Sequence, residues 1–276
     1  MTLPERPEAQ SATARTDSPL LEATGITVHF GGLTAVDDVS LAARPAEVHG
    51  VIGPNGAGKT TLFNVCCGFV RPSAGTLSWR GREIGDLRPH HLAGMGIART
   101  LQSVELFRGL TVVENVMVGA DRFRRSGFLS ALLALPRSTA DERRLREAAM
   151  SAMTQAGVAD YADRLPGSLP YPVQKRVAMA RALAAEPDLL LLDEPASGLG
   201  QDEMEELGEF VRALTARMSV VLVDHHMDLV MSVCDRITVL DFGSVVAAGT
   251  PAEVRDEPAV VDAYLGEAAR RGGEHG

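Results

Sequence analysis

Apolar and polar residues change rhythm several times along the chain, and each change marks an element. From Leu21 to Val51 the pattern is short alternating or apolar runs, ITVHF, VDDVSLAA and EVHGVI, broken by Gly-Gly and Arg-Pro, which predicts strands joined by turns. The last run feeds a glycine-rich loop. Thr60 to Phe69 then reads as a buried helix, Thr76 to Trp79 as a strand and Ile97 to Leu101 as another short strand. Between about Val104 and Gly167 the spacing turns helical, in VVENVMVGA and STADERRLREAAMSAMTQAG, with no strand pattern, which predicts a helical insert. After Pro172 a helix, VQKRVAMARALAAE, leads into Leu189 to Leu192, a leucine run ending in Asp193 and Glu194, as in a strand buried on both faces. Helix 202–217, strand Val220–Val223, helix 226–233 and strand Ile237–Leu240 continue the alternation. Alternating strand and helix units imply an α/β fold with a mostly parallel sheet sandwiched by helices.

Composition narrows the class. A chain of 276 residues with 45% hydrophobic side chains can bury a large core, as one big domain or two closely joined subdomains. A net charge of -9 and a pI near 5.3 argue against general nucleic-acid binding, which needs basic stripes, so any bound anion must be held locally. The cysteines Cys66, Cys67 and Cys234 are poorly spaced for metal ligation and read as small core residues in a reducing, cytosolic compartment. No apolar run approaches the roughly 18 to 20 residues that span a bilayer, and the N-terminus shows no signal-peptide pattern, so a membrane role would be indirect. Residues 1–19, rich in Pro, Ser, Thr and charge, are expected to be a disordered tail. Residues 20–268 form the folded domain, with the helical insert at about 104–170, and 269–276 a flexible tail. Only two of the 27 basic residues are lysines, and one of them is Lys59.

The strongest chemical signal is Gly53-Pro54-Asn55-Gly56-Ala57-Gly58-Lys59-Thr60, which matches G-x-x-x-x-G-K-[ST] between a predicted strand and a predicted helix, with Thr61 next in that helix. The glycines let the backbone curl so that successive N–H groups point at a β-phosphate, and the helix N-terminus adds its positive end. Lys59 reaches the β- and γ-phosphates and the Thr60 hydroxyl is placed for Mg²⁺.

Asp193 and Glu194 end the leucine strand, so both carboxylates fall at the carboxyl edge of the sheet, where ligands bind in open α/β folds. Asp193 would hold Mg²⁺ and Glu194 would polarise an attacking water. His225 follows VVLVD at another sheet edge, in reach of a γ-phosphate, while one of His225 and His226 reads as a surface residue. Gln102, after IARTL, is placed to bridge Mg²⁺ and the attacking water, although a lone glutamine there is ordinarily on the surface. Phe30 is a candidate for stacking on adenine, although a lone phenylalanine more commonly belongs to a core.

Taken in order and spacing, Phe30, the phosphate loop, Gln102, LPYPVQKR, LLLLDEP and His225 resemble the nucleotide-binding subunit of an ABC transporter, over about Leu21 to Leu265. The resemblance implies a P-loop NTPase (RecA-like) core with an antiparallel β subdomain and an inserted α-helical subdomain. It also implies two subunits closing head to tail on two ATP molecules with Mg²⁺, coupled to membrane permease subunits at the cytoplasmic face of the membrane. By match to the family motifs, Phe30 stacks on adenine, Gln102 is the coupling-loop glutamine, Glu194 the catalytic base and His225 the switch histidine. Within the family, HFGGLTAVDDVSL, GIARTLQ with LFRGLTVVENVMVG, and GTPAEVRDEPAVVDAYLG resemble the branched-chain amino-acid uptake ATPases that carry ART-x-Q. That branch implies a sister ATPase as heterodimer partner and, indirectly, an extracytoplasmic solute-binding protein. Lipopolysaccharide-export ATPases share part of this wording, so a lipid or polysaccharide exporter is the first alternative. A catalytically weak regulatory subunit is the second. A soluble ABC protein acting on DNA or ribosomes would usually carry two cassettes or a long coiled coil, and this chain has neither.

One motif departs from the family pattern. Its signature, usually Leu-Ser-Gly-Gly-Gln, falls at Leu169-Pro170-Tyr171-Pro172-Val173, so the serine, both glycines and the glutamine are replaced. Proline is comfortable at a helix start, so the fold should survive. The contacts to the ATP of the opposite subunit should not, because Pro170 has no hydroxyl and Pro172 no N–H. Gly200 also stands where the family usually has Asp or Asn after the catalytic strand. The expectation is asymmetry, with one strong site built on this chain and a weakened one offered to its partner.

Overall fold

The computed structural model describes residues 18–100, 104–120 and 136–264, with side chains from 141 onward in the last stretch. The expectations for the two tails fall largely or wholly outside the described residues. In chain order the strands are β1 (Leu21–Phe30), β2 (Leu33–Ala43), β3 (Val48–Ile52), β4 (Ala74–Trp79), β5 (Arg82–Glu83), β6 (Ile97–Arg99), β7 (Leu189–Asp193), β8 (Ser219–Val223), β9 (Arg236–Asp241) and β10 (Ser244–Gly249). The helices are α1 (Lys59–Cys66), α2 (Leu92–Met95), α3 (Val112–Gly119), α4 (Pro136–Gln155), α5 (Tyr171–Leu183), α6 (Gln201–Leu214), α7 (Met227–Val233) and α8 (Pro251–Arg255).

Two sheets result. The first is antiparallel in the order β2-β1-β4-β5, and the second runs β10-β9-β3-β8-β7-β6, parallel except for β10. Every leucine of β7 is fully buried. Leu189 and Leu191 pack with Leu62 and Phe63 of α1 and Val36 of β2, whereas Leu190 and Leu192 pack with Val177 of α5 and Val211 of α6. Period-two alternation thus feeds a different core on each face, each leucine contributing about 1.5–3 kcal/mol by burial.

The element ends show local chemistry at work. The expected helix to Phe69 stops at Cys66 because Gly68, at φ 72°, turns the chain left-handed, with Gly68 N–H bonded to Val65 O and Phe69 N–H to Asn64 O. Helix α5 starts at Tyr171, two residues before the expected start, with Pro170 at its N-cap and Pro172 in a first turn whose N–H groups have no intrahelical partner anyway. It ends at Leu183, short of the expected Glu186. Strand β10 and helix α8 were not foreseen. The α8 start is a capping box in which Thr250 and Glu253 bond each other's backbone N–H. Between β6 and α5 the described residues carry α3 and α4 and no strand, with α3 packed on both α4 and α5.

Register brings three loops to one edge. Asp193 of β7 lies level with Val223 of β8, and Val223 level with Val51 of β3. The segments starting at Gly53, Glu194 and Asp224 therefore leave the same carboxyl edge of the sheet. The β9–β10 hairpin closes over this edge, where Gly243 N–H bonds Ala57 O and Gly243 O accepts from Asp37 N–H of β2.

Candidate functional site

The loop after β3 is curled by its glycines. Gly53 (φ 146°) and Gly58 (φ 97°) occupy backbone regions closed to other residues, and a methyl group on them would stand 2.0 Å from Leu240 O and 2.4 Å from Ala35 O respectively. Lys59 folds over the loop, its Nζ donating to Gly53 O at 2.7 Å and Pro54 O at 2.8 Å. Pro54 and Ala57 are buried, Asn55, Gly56 and Thr60 are exposed, and Thr61 is half-buried. Helix α1 begins at Lys59 with no acidic residue in its first turn. Its free N–H groups and positive end face the loop opening, which suits a bound phosphate.

Across the edge, Asp193 is buried at the end of β7, its N–H donating to Thr100 Oγ1 at 3.4 Å. Burial pushes its carboxyl above the usual range, the charges of Glu194 and Asp224 add to that, and Arg99 opposes it. Glu194 sits at φ 45°, a strained conformation for a non-glycine residue, and donates its N–H to Val223 O. Its carboxylate, 20% exposed, lies 3.9 Å from Nδ1 of His225, whose side chain is 47% exposed. Sheet-edge register has delivered an exposed imidazole and an accessible carboxylate side by side.

The residue that organises this edge is Asp224, which the sequence reading did not single out. It is fully buried, and its Oδ1 accepts from His225 N–H (2.7 Å), His226 N–H (3.0 Å) and His226 Nδ1 (2.6 Å), while Oδ2 accepts from Ala196 N–H (3.1 Å). One carboxylate thereby ties the turn after β8 to the turn after β7. His226 is pinned by this contact and half-buried, whereas His225 is the exposed one of the pair. Lys175 of α5 was also missed. Its buried Nζ donates to Glu194 O (3.2 Å) and Pro195 O (2.8 Å), and burial lowers its pKa against the pull of Asp224 and Glu194.

Asp193, Glu194 and Asp224 crowd three carboxylates into a partly desolvated edge, and the raised pKa of Asp193 records that the crowding is not fully offset. A divalent cation would offset it, so the donor set fits Mg²⁺, with Asp193 and the exposed Thr60 hydroxyl as ligands. Gln102, the third expected ligand, lies outside the described residues. Phe30 is 52% exposed at the end of β1. The core role that a lone phenylalanine suggests is therefore wrong here, and its ring is open to stack.

In the degenerate signature segment, Leu169 is buried, Tyr171 exposed, and Pro172 and Val173 partly buried. Leu169 O accepts from Gln174 Nε2 and Pro170 O from Gln174 N–H, which closes the helix start. At the seam between β6 and the helical region, an apolar groove of about 600 Å³ is rimmed by exposed Phe69, Phe107 and Val118. Arg99 reaches over the Phe69 ring at 4.3 Å there. Among the described residues no helix is long and apolar enough to cross a membrane.

The family model described as ABC transporter matches residues 36–197. A second, described as Branched-chain amino acid ATP-binding cassette transporter, matches residues 244–270. The chain is 41% identical over 252 residues, 91% of its length and 99% of the relative's, to the high-affinity branched-chain amino acid transport ATP-binding protein BraF of Pseudomonas aeruginosa. It is 40% identical, with the same coverage, to the corresponding protein LivG of Escherichia coli. A crystal structure of an ATP-binding cassette of an ABC transporter in its ADP conformation matches with a TM-score of 0.77 at 29% identity, covering 90% of this chain and 99% of that one.

Proposed function

Because the chain belongs to the ABC transporter family, with a nucleotide site of that family's ATPases, we propose that it energises the import of branched-chain amino acids as a peripheral subunit at the cytoplasmic face of the membrane. The observation that carries the cargo is the identity to branched-chain amino acid transport ATPases over nearly the whole chain, joined to the family match at 244–270. That C-terminal match favours amino-acid uptake over lipid or polysaccharide export.

Each site residue has a role in this reading. Phe30 stacks on adenine, while the N–H groups of Gly53 to Thr61 and the Lys59 ammonium hold the phosphates. Thr60, Asp193 and Gln102 would hold Mg²⁺, which would supply positive charge to the phosphates. Glu194 accepts the proton of a water as its oxygen bonds to the γ-phosphorus and the bond to the β–γ bridging oxygen breaks, giving ADP and phosphate. His225 donates a hydrogen bond to the γ-phosphate. The site closes against a sister ATPase, and the apolar groove at Phe69 and Phe107 is where a permease segment docks. A solute-binding protein acts outside, through the permease.

The test is uptake of labelled leucine, isoleucine and valine in cells whose only copy of the gene is wild type or Glu194→Gln. Uptake should collapse in the variant. Unchanged uptake, with ATP turnover of the purified complex abolished, would reject the cargo.

A further inference from the structure

At the opposite end of the parallel sheet from the nucleotide loop lies a second polar cleft. It encloses about 270 Å³ where β1 and β2 meet the amino ends of β3 and β9, and Arg44, Arg236 and His49 line it together with Glu22, Thr24 and Ser40. Neither Arg44 nor Arg236 makes an ion pair or side-chain hydrogen bond among the described residues, in a chain whose net charge is -9. Both line the cleft, and both act electrostatically on the His49 imidazole beside them.

That wall is built not to compete. His49 is buried, its Nδ1 3.1 Å from Ala42 O and its Nε2 2.8 Å from Thr238 Oγ1. A carbonyl can only accept, so Nδ1 carries the proton and Nε2 accepts the Thr238 hydroxyl. Burial and the two arginines hold this ring neutral, with its pKa pushed down to about 4. Two guanidiniums that form no ion pair among the described residues, beside a fixed neutral ring, leave their N–H donors available to an anion. Ser40 accepts Gly25 N–H at its Oγ, which leaves the hydroxyl proton to donate, and Thr24 adds a second exposed hydroxyl. Two forks of N–H donors with hydroxyls beside them match the lone pairs of an oxyanion.

We propose that this cleft binds a small oxyanion, the carboxylate or phosphate of a metabolite, through Arg44 and Arg236. The site is distinct from the nucleotide loop but joined to it, since β3 (Val48–Ile52) begins here, carries His49 and leads directly into Gly53. The intervening residues span about 13 Å at roughly 3.3 Å per residue. Glu22, which lines the cleft, and Glu253 of α8, which acts on Arg236, keep the pocket from being uniformly positive, and its volume of about 270 Å³ suits a small ligand.

The experiment is calorimetric titration of the full chain with inorganic phosphate and, separately, succinate, the nucleotide loop first saturated with a non-hydrolysable ATP analogue and Mg²⁺. Wild type should show one saturable site for at least one of the two anions. Arg44→Gln and Arg236→Gln should each weaken it at least tenfold while leaving affinity for the ATP analogue unchanged. A preference for phosphate or for succinate assigns the headgroup. Absence of saturable binding of either anion to wild type overturns the proposal, and so does binding that both variants retain at wild-type strength.

Discussion

Lowering the pH from 7 to 5 should cost the protein about 2 kcal/mol of stability through a single imidazole, that of His49. The ring is buried, its two nitrogens are satisfied as a neutral tautomer, and Arg44 and Arg236 oppose a positive charge on it. Burial is the largest cause, and the folded pKa falls from the ordinary 6.5 to about 4. The unfolded chain therefore binds a proton that the folded chain refuses, and folding weakens as pH drops through 6.5, until the folded ring also titrates near 4. At pH 5 the unfolded ring is almost fully charged and the folded one almost fully neutral. The difference is about 2 kcal/mol at pH 5, against about 0.2 kcal/mol at pH 7.

Urea unfolding of wild type and His49→Gln at both pH values isolates this contribution. Carboxylates titrate in both proteins and cancel in the comparison. Glutamine lowers stability at pH 7 by loosening the contacts to Ala42 and Thr238, but it carries no titrating group, so wild type should lose about 2 kcal/mol more than the variant between pH 7 and 5. An equal loss in the two proteins would refute the assignment of a neutral, protonation-resistant His49.

Asp224→Ala strips the acceptor from four donors and should destabilise the protein by on the order of 4 kcal/mol at about 1 kcal/mol each, with ATP turnover down at least tenfold, as measured by urea unfolding and phosphate release. Gly58→Ala forces a methyl into the left-handed backbone 2.4 Å from Ala35 O; it should cost roughly 2 kcal/mol and abolish detectable ATP binding, and an affinity within about twofold of wild type would contradict the loop geometry. Glu114 and Glu253 are held below their ordinary 4.5, chiefly by Thr111's hydroxyl and Thr250's N–H respectively, so their capping boxes stabilise the fold above that pH and fade as it falls below; amide exchange in the first turns of α3 and α8 should accelerate there and nowhere near neutrality. In a complex with the sister ATPase, replacing that partner's signature should stop turnover at this chain's site, whereas Pro172→Gly should leave it unchanged; equal effects of the two would defeat the asymmetric reading.

What was legible in the sequence is local. The phosphate loop needs glycines and a lysine at fixed spacing, so Gly53 to Thr60 could be read directly, and the leucine run of β7 announced a strand buried on both faces. The Thr250-Pro251-x-Glu253 capping box that starts α8 is equally local. Asp224 was not legible, because its importance comes from Ala196, a residue 28 positions away that register alone brings beside it. Lys175 likewise reads as an ordinary helix residue until α5 is laid against the turn after β7. Phe30 was open to two readings that only its exposure at the end of β1 separates.

The signature segment shows why a helix can lose its phosphate contacts and keep its position. In the proposed reading, Pro170 and Pro172 remove a hydroxyl and an N–H that would face the partner's ATP, yet the same helix has a second attachment within its own chain. Lys175, on its first turns, holds the carbonyls of Glu194 and Pro195. The Tyr171 ring lies against Gly198, so closely that a methyl group there would approach Tyr171 Cε1 to 2.9 Å. A shift of α5 would therefore disturb the strained turn that presents Glu194, and with it the site built on this chain. Weakening the donors offered across the dimer leaves the catalytic turn untouched, while moving the helix does not. That difference makes a one-sided site mechanically consistent, because the contacts that the prolines remove point outward and the contacts that hold Glu194 point inward.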